Sequence, residues 1–237
     1  RSGTPQRLPL ISRFLSWGLQ NEAWILATGA GQPVVRVGNP VVRQLKNTAR
    51  WRPSARRTAL VLPLGVERGD MLGSHGQTIM YLVHAVRLLC DLGYVDVRVK
   101  VHHGPFNPDY IRRALRYFEL PCEVYQAGPL KPHAQASELV VGPVNSGALL
   151  ECLAMEKPYY PLVLNPTSLS SNLMMVAPVS TSIEELAANL KAGNAVNGPQ
   201  TLERHASVGS ISDPGQRFWE AMSMEEKIPI HVKSATD

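Results

Sequence analysis

From residue 58 to about 192, short apolar and β-branched runs alternate with longer stretches whose apolar positions recur every three or four residues. The runs at 58–65, 95–101, 122–125, 139–141, 160–164 and 176–179 predict six strands. Between them, Ile79, Leu82, Val83, Val86, Leu89 and Cys90 share one helical face, as do Ile111, Ala114, Leu115 and Phe118, and then Leu149, Leu150 and Leu153. Asn107 opens the second of these helices and Pro121 ends it. Ser182 and Glu185 form a capping box for a helix that runs through Leu186 and Leu190 to Gly193. Strands that alternate with helices in this way predict an α/β fold with a doubly wound, Rossmann-like parallel sheet.

The flanks are less regular. Ile11, Phe14, Leu15 and Leu19 have helical spacing, the run 24–27 reads as a strand, Gly29 and Gly31 mark a turn, and 33–38 reads as another strand. Residues 43–57 are dense in charge and contain Pro53, which predicts an exposed interdomain linker. The segment 128–136 reads as a loop or short turn, a last helix is expected near 213–222, and the tail is expected to be irregular. The chain therefore divides at residue 57, with 58–237 as the Rossmann-like domain. The non-Met start at Arg1 reads as a processed or truncated N-terminus.

Chemistry concentrates at 137–164, which reads as strand, turn, helix, strand. Asn145 or Ser146 can cap the helix, and Gly147 lets backbone approach closely whatever sits there. A helix N-terminus at the carboxyl end of a parallel strand offers unpaired N–H groups and a positive dipole end, which suit phosphate. Glu151, one turn in, would repel phosphate but can accept hydrogen bonds from a ribose diol. The competing reading is an ordinary capped helix with Glu151 in water.

Two further loops face the same edge. The segment 66–78 carries Gly69, Gly73 and Gly76 between a strand and a helix, a setting in which amides cradle phosphate, although neither G-x-G-x-x-G nor G-K-[ST] is present; a surface loop is the alternative. His102 and His103 end the strand at 95–101, where imidazole can position phosphate or act as acid or base, or simply close a turn. The hydroxyl-rich loop at 165–172 could meet a sugar. No histidine, cysteine or carboxylate set has metal-ligand spacing, so no metal is expected.

The order Ser146, Gly147, Glu151, Ala154, Lys157, Pro158 resembles the donor-nucleotide motif in the C-terminal domain of GT-B glycosyltransferases. The resemblance implies phosphate contacts from Asn145, Ser146 and Gly147 and ribose contacts from Glu151. It places Ser74, His75 and Gly76 across the cleft, His102 and His103 as candidate catalytic residues, and Leu130 and His133 near the base. The His-Gly-Pro run at 103–105 loosely resembles the H-P motif of bacterial sialyltransferases and capsule-type transferases. Val35, Val37, Gly38, Asn39 and Pro40 resemble the strand and turn that hand a GT-B N-terminal domain over to its C-terminal one, which makes residues 1–57 a remnant of that domain plus a basic linker. Two positions depart from the family. Glu156 stands where glycine usually ends the helix, and Pro143 where many retaining members have another glutamate.

Composition adds limits. The chain of 237 residues is 44% hydrophobic, enough for a sizeable core, and shows no continuous apolar span or signal pattern. Cys90, Cys122 and Cys152 lie far apart in apolar contexts, as reduced core residues of a cytoplasmic protein would. The net charge of +5 divides into +9 for residues 1–57, where Glu22 is the only acidic residue, and −4 for the rest. No nucleic-acid fold signature accompanies it, so nucleic acid is not an expected partner; the basic segment is instead a candidate for peripheral membrane contact. The expected function is transfer of a sugar from a nucleotide-sugar donor to a polysaccharide or lipid-linked acceptor in bacterial surface-glycan assembly, with no cofactor beyond the donor. The alternatives are a noncatalytic nucleotide-binding module of the same fold and a nucleotide-sugar epimerase; epimerases of that kind double the acidic residue, where this chain has Cys152.

Overall fold

The computed structural model describes residues 13–29, 31–48, 56–63, 75–102, 107–144, 146–164 and 176–223. The N-terminal part is a small βαβ unit. Strand β1 (Phe14–Ser16) pairs in parallel with β2 (Val34–Arg36) through helix α1 (Leu19–Ala27), and α2 (Pro40–Thr48) follows. Two expectations are corrected here. Phe14 and Leu15 are extended because they pair with Val34 and Val35, a nonlocal partner that helical spacing cannot reveal. The run 24–27 ends a helix instead of forming a strand, since four apolar residues in a row do not separate the two. The expected linker is also helical as far as Thr48, with Val42 buried and Leu45 packed beneath it.

The main sheet contains β3 (Thr58–Val61), β4 (Asp96–Lys100), β5 (Cys122–Tyr125), β6 (Leu139–Gly142) and β7 (Tyr159–Pro161), all parallel. Their spatial order is β5-β4-β3-β6-β7, so the order reverses between β3 and β6. The sixth strand expected at 176–179 is not formed; Ser180 makes only a single bridge to Leu162.

Strand alternation sorts the core into two layers. Ala59, Val61, Val97, Val99 and Val141 face helices α3 (His75–Asp91), α4 (Pro108–Tyr117) and α7 (Ile183–Ala192). Leu60, Leu62 and Val140 face α2 together with α5 (Leu130–Gln135), α6 (Gly147–Ala154) and α8 (Gly198–Ala206). Helix α5 replaces an expected loop; its Pro132 falls in the first turn, where no intrahelical N–H is needed. Helix α8, unexpected from apolar spacing, is capped by the Asn197 side chain, which accepts from the Gln200 N–H at 3.1 Å. The last helix, α9 (Pro214–Ser223), returns to the N-terminal unit, where the Arg13 guanidinium donates to the Ala221 carbonyl.

Candidate functional site

Helices α3 and α6 leave the adjacent strands β3 and β6 toward opposite faces of the sheet. Divergence at the point where strand order reverses is the arrangement in which open α/β sheets form a ligand crevice at the carboxyl ends of their strands. Gly76 in the first turn of α3 and Ser146 and Gly147 at the start of α6 therefore stand at one edge. His102 stands at that edge too, exposed, beyond the end of β4 and one strand further from β6. His75 is the first residue of α3. Ser74, His103 and Asn145 lie outside the described residues, as does the loop at 165–172.

The start of α6 offers unpaired backbone N–H groups and the positive end of a helix dipole. Ser146 is its N-cap, its hydroxyl accepting from the Ala148 N–H at 3.2 Å. Gly147 follows, exposed, and a Cβ there would meet no atom within 4 Å. Packing thus does not demand glycine at 147; its absent side chain leaves the approach to the helix end open. Leu149, Cys152 and Leu153 bury the opposite side of the helix. Glu151, four residues after Gly147, shares the latter's face. It is half-buried, its carboxyl is raised above the usual carboxylate range by desolvation, and it has no partner among the described residues. Such a half-buried acceptor, with no donor among the described residues, can accept a hydrogen bond from a hydroxyl.

The turn that ends α6 is left-handed even though Glu156 replaces glycine there. Glu156 takes the left-handed conformation (φ 59°) that glycine takes more cheaply. Its N–H donates to the Leu153 carbonyl and that of Lys157 to Cys152, both at 3.0 Å, which is the Schellman arrangement. Lys157 is buried; its ammonium donates to the Ser137 carbonyl at 2.6 Å and the Gln135 carbonyl at 3.1 Å. Burial pushes its pKa down to about 8. Lys157 thus ties the end of α5 to the start of β7 and does not face the crevice strands' carboxyl ends.

Sequence reasoning missed the support beneath the crevice. The fully buried Tyr159 sends its hydroxyl to the Pro143 carbonyl at 2.9 Å, under the loop between β6 and α6. Tyr81 and Thr78 of α3 have buried hydroxyls with no partner among the described residues. Apolar periodicity treats tyrosine in a strand as core, so only the Gly142-Pro143 pair hinted at a close approach. His133, a candidate base contact, lies against the Tyr125 ring with centroids 4.6 Å apart, and burial lowers its pKa. No group of three or more metal-ligating side chains occurs among the described residues.

No protein-family profile and no curated protein matches the chain. Among solved structures, the Methanocaldococcus jannaschii UDP-GlcNAc 2-epimerase, solved with UDP-GlcNAc and UDP, superposes on 89% of the chain with a TM-score of 0.54 at 13% identity. The GtfA/B complex superposes on 90% with a TM-score of 0.54 at 12% identity. The fold is of GT-B type. At such identities the likeness speaks for the fold alone. The chain spans 60% of the length of the first of these structures and 45% of the second.

Proposed function

We propose that the chain binds the nucleotide-sugar donor of a GT-B glycosyltransferase that transfers the sugar to a polysaccharide or lipid-linked acceptor. The observation that carries this reading is the half-buried Glu151, without a partner among the described residues, one turn above the exposed Gly147 at the reversal of strand order. The N-terminal amides of α6, with Asn145, Ser146 and Gly147, hold the donor phosphates. Glu151 accepts from the ribose diol. As the bond from sugar to phosphate breaks, the fixed amides and dipole of α6 stabilise the charge developing on the leaving phosphate. Ser74, His75 and Gly76 approach from the β3 side, and His102 or His103 assists at the reacting end. The donor is the only small molecule this scheme requires. Residues 1–57 are read as the end of a GT-B N-terminal domain with its basic connector, and residues 58–237 as the donor-binding domain.

An epimerase is the second reading, suggested by the likeness to the Methanocaldococcus jannaschii enzyme. Against it, the position after Glu151 is Cys152, fully buried in the core and unable to serve as a second acid in the crevice.

Calorimetric titration with UDP, CMP, GDP and ADP tests the proposal. Saturable binding of one nucleotide, weakened about tenfold in Glu151→Ala by loss of a charge-assisted hydrogen bond, is the expected result. Absence of binding to all four by the folded chain overturns it. Binding without sugar transfer in the presence of donor and acceptor favours the noncatalytic module.

A further inference from the structure

A cavity of about 390 Å³ lies where the last turn of α2 and the end of α6 meet the start of α8. It sits at the amino ends of the strands, away from the candidate donor site at their carboxyl ends. Pro158, on its wall, precedes β7, and Val196, also on the wall, donates its N–H to the carbonyl of Tyr159, the first residue of that strand, at 3.0 Å. The space is open because two helix ends supply little bulk. Helix α6 stops at the left-handed Glu156, and α8 begins with Gly198 and Pro199. A Cβ on Gly198 would meet only Leu153, at an ordinary 3.7 Å, so packing does not require glycine there. The buried side chains of Leu153, Val196 and Leu202, with Pro199, make the walls apolar.

Size and charge together select the occupant. The volume is at the small end of the range for small-molecule sites and would hold about thirteen waters at liquid density, hence a ligand of about as many non-hydrogen atoms. Two opposite charges stand at the rim. Lys46 and Glu156 are both exposed, and among the described residues neither side chain has an ion-pair or hydrogen-bond partner, so they do not neutralise each other. The third charge on the lining, the Lys157 ammonium, is committed to the Ser137 and Gln135 carbonyls. A molecule with an apolar body and one group of each sign matches this arrangement. Its carboxylate meets Lys46, its ammonium meets Glu156, and its body displaces water from the apolar walls. We infer that the cavity between α2, α6 and α8 is a binding site for an α-amino acid with a large apolar side chain.

The test is calorimetric titration of the 237-residue chain with L-phenylalanine, which has this size, and with three molecules that each lack one part of it. Phenylacetate lacks the ammonium, phenethylamine the carboxylate, and glycine the apolar body. Saturable binding of phenylalanine at one site is expected, with phenylacetate and phenethylamine weaker by about fivefold, as suits single exposed ion pairs, and glycine without measurable binding. In Lys46→Gln, phenylalanine and phenethylamine are expected to bind alike, and in Glu156→Gln, phenylalanine and phenylacetate. Gly198→Leu places a side chain in the cavity and is expected to abolish binding with an unchanged circular dichroism spectrum. No binding of phenylalanine, equal binding of either singly charged analogue by the wild-type chain, or full affinity in a folded Gly198→Leu overturns the inference.

Discussion

The Tyr159 hydroxyl donates to the Pro143 carbonyl at 2.9 Å, passing under Gly142, where a Cβ would collide with that hydroxyl and stand 2.9 Å from the ring's Cζ. One bond thereby fixes the exit of β6 just before the cap of α6, and glycine at 142 is the condition for it. Tyr159→Phe leaves a buried carbonyl without its donor and is expected to cost about 1–3 kcal/mol. Gly142→Ala is expected to destabilise the protein, and less so in the Tyr159→Phe background, because the hydroxyl it strikes is gone. A double-mutant cycle from urea unfolding measures that coupling, and additive effects would contradict it.

Glu156 offers a test of local backbone energy alone. Its left-handed conformation costs a residue with a Cβ about 1 kcal/mol relative to glycine. The Schellman bonds at 3.0 Å are made by backbone and survive substitution. Glu156→Gly is therefore expected to stabilise the folded state by about 1 kcal/mol, read as a higher urea midpoint at constant slope.

Much of this was legible because the relevant signals are local. The buried β-branched runs of β3 and β6, the Ser146 cap, the Ser182 box and the inner face of α3 all depend on residues within a few positions of each other. The spatial order of the strands, with its reversal between β3 and β6, is set by pairings distant in sequence and was not legible in these signals. What failed depended on partners distant in sequence. Phe14 is a strand residue only because of Val34, and Trp24 joins a helix only because Ile25 finds the core. The Tyr159 strut was hidden for the same reason, since a tyrosine read as core reveals nothing of the carbonyl its hydroxyl reaches.

Lys157 couples the fold to alkaline pH. Its folded pKa of about 8 lies below the ordinary lysine value of 10.5. Between those values the unfolded chain holds a proton the folded chain has released, so stability rises with pH across the window. Below about pH 8 the burial of the charge is a standing cost. Compared with Lys157→Met, which cannot titrate, the wild-type protein should gain about 2 kcal/mol in relative stability between pH 7 and 10. Chemical denaturation of both proteins at the two pH values checks this; a constant difference would mean that Lys157 stays charged in the fold.

Gly147 separates what the protein needs from what a ligand needs. A side chain there meets nothing within 4 Å, so Gly147→Leu should fold at least as stably as wild type, since leucine is the better helix former. The added side chain would, however, occupy the approach to the helix end. Nucleotide affinity is expected to fall at least about tenfold while the melting temperature holds or rises. Unchanged affinity in the calorimeter would place the phosphate elsewhere than at α6.

Glu151 predicts a direction for binding against pH. Desolvation raises its carboxyl above the ordinary carboxylate range, so acidification protonates it earlier than an exposed glutamate. Only the ionised form accepts from both hydroxyls of a diol through two free oxygens. Affinity for the nucleotide should thus fall as pH drops toward the carboxylate range, beyond the loss caused by protonation of the phosphate itself. The phosphate contributes equally in wild type and in Glu151→Gln, which cannot ionise, so the two titrations divide to leave the glutamate's part. A ratio that shrinks toward one as pH falls identifies Glu151 as the diol acceptor; a ratio independent of pH would show that its carboxylate does not touch the ligand.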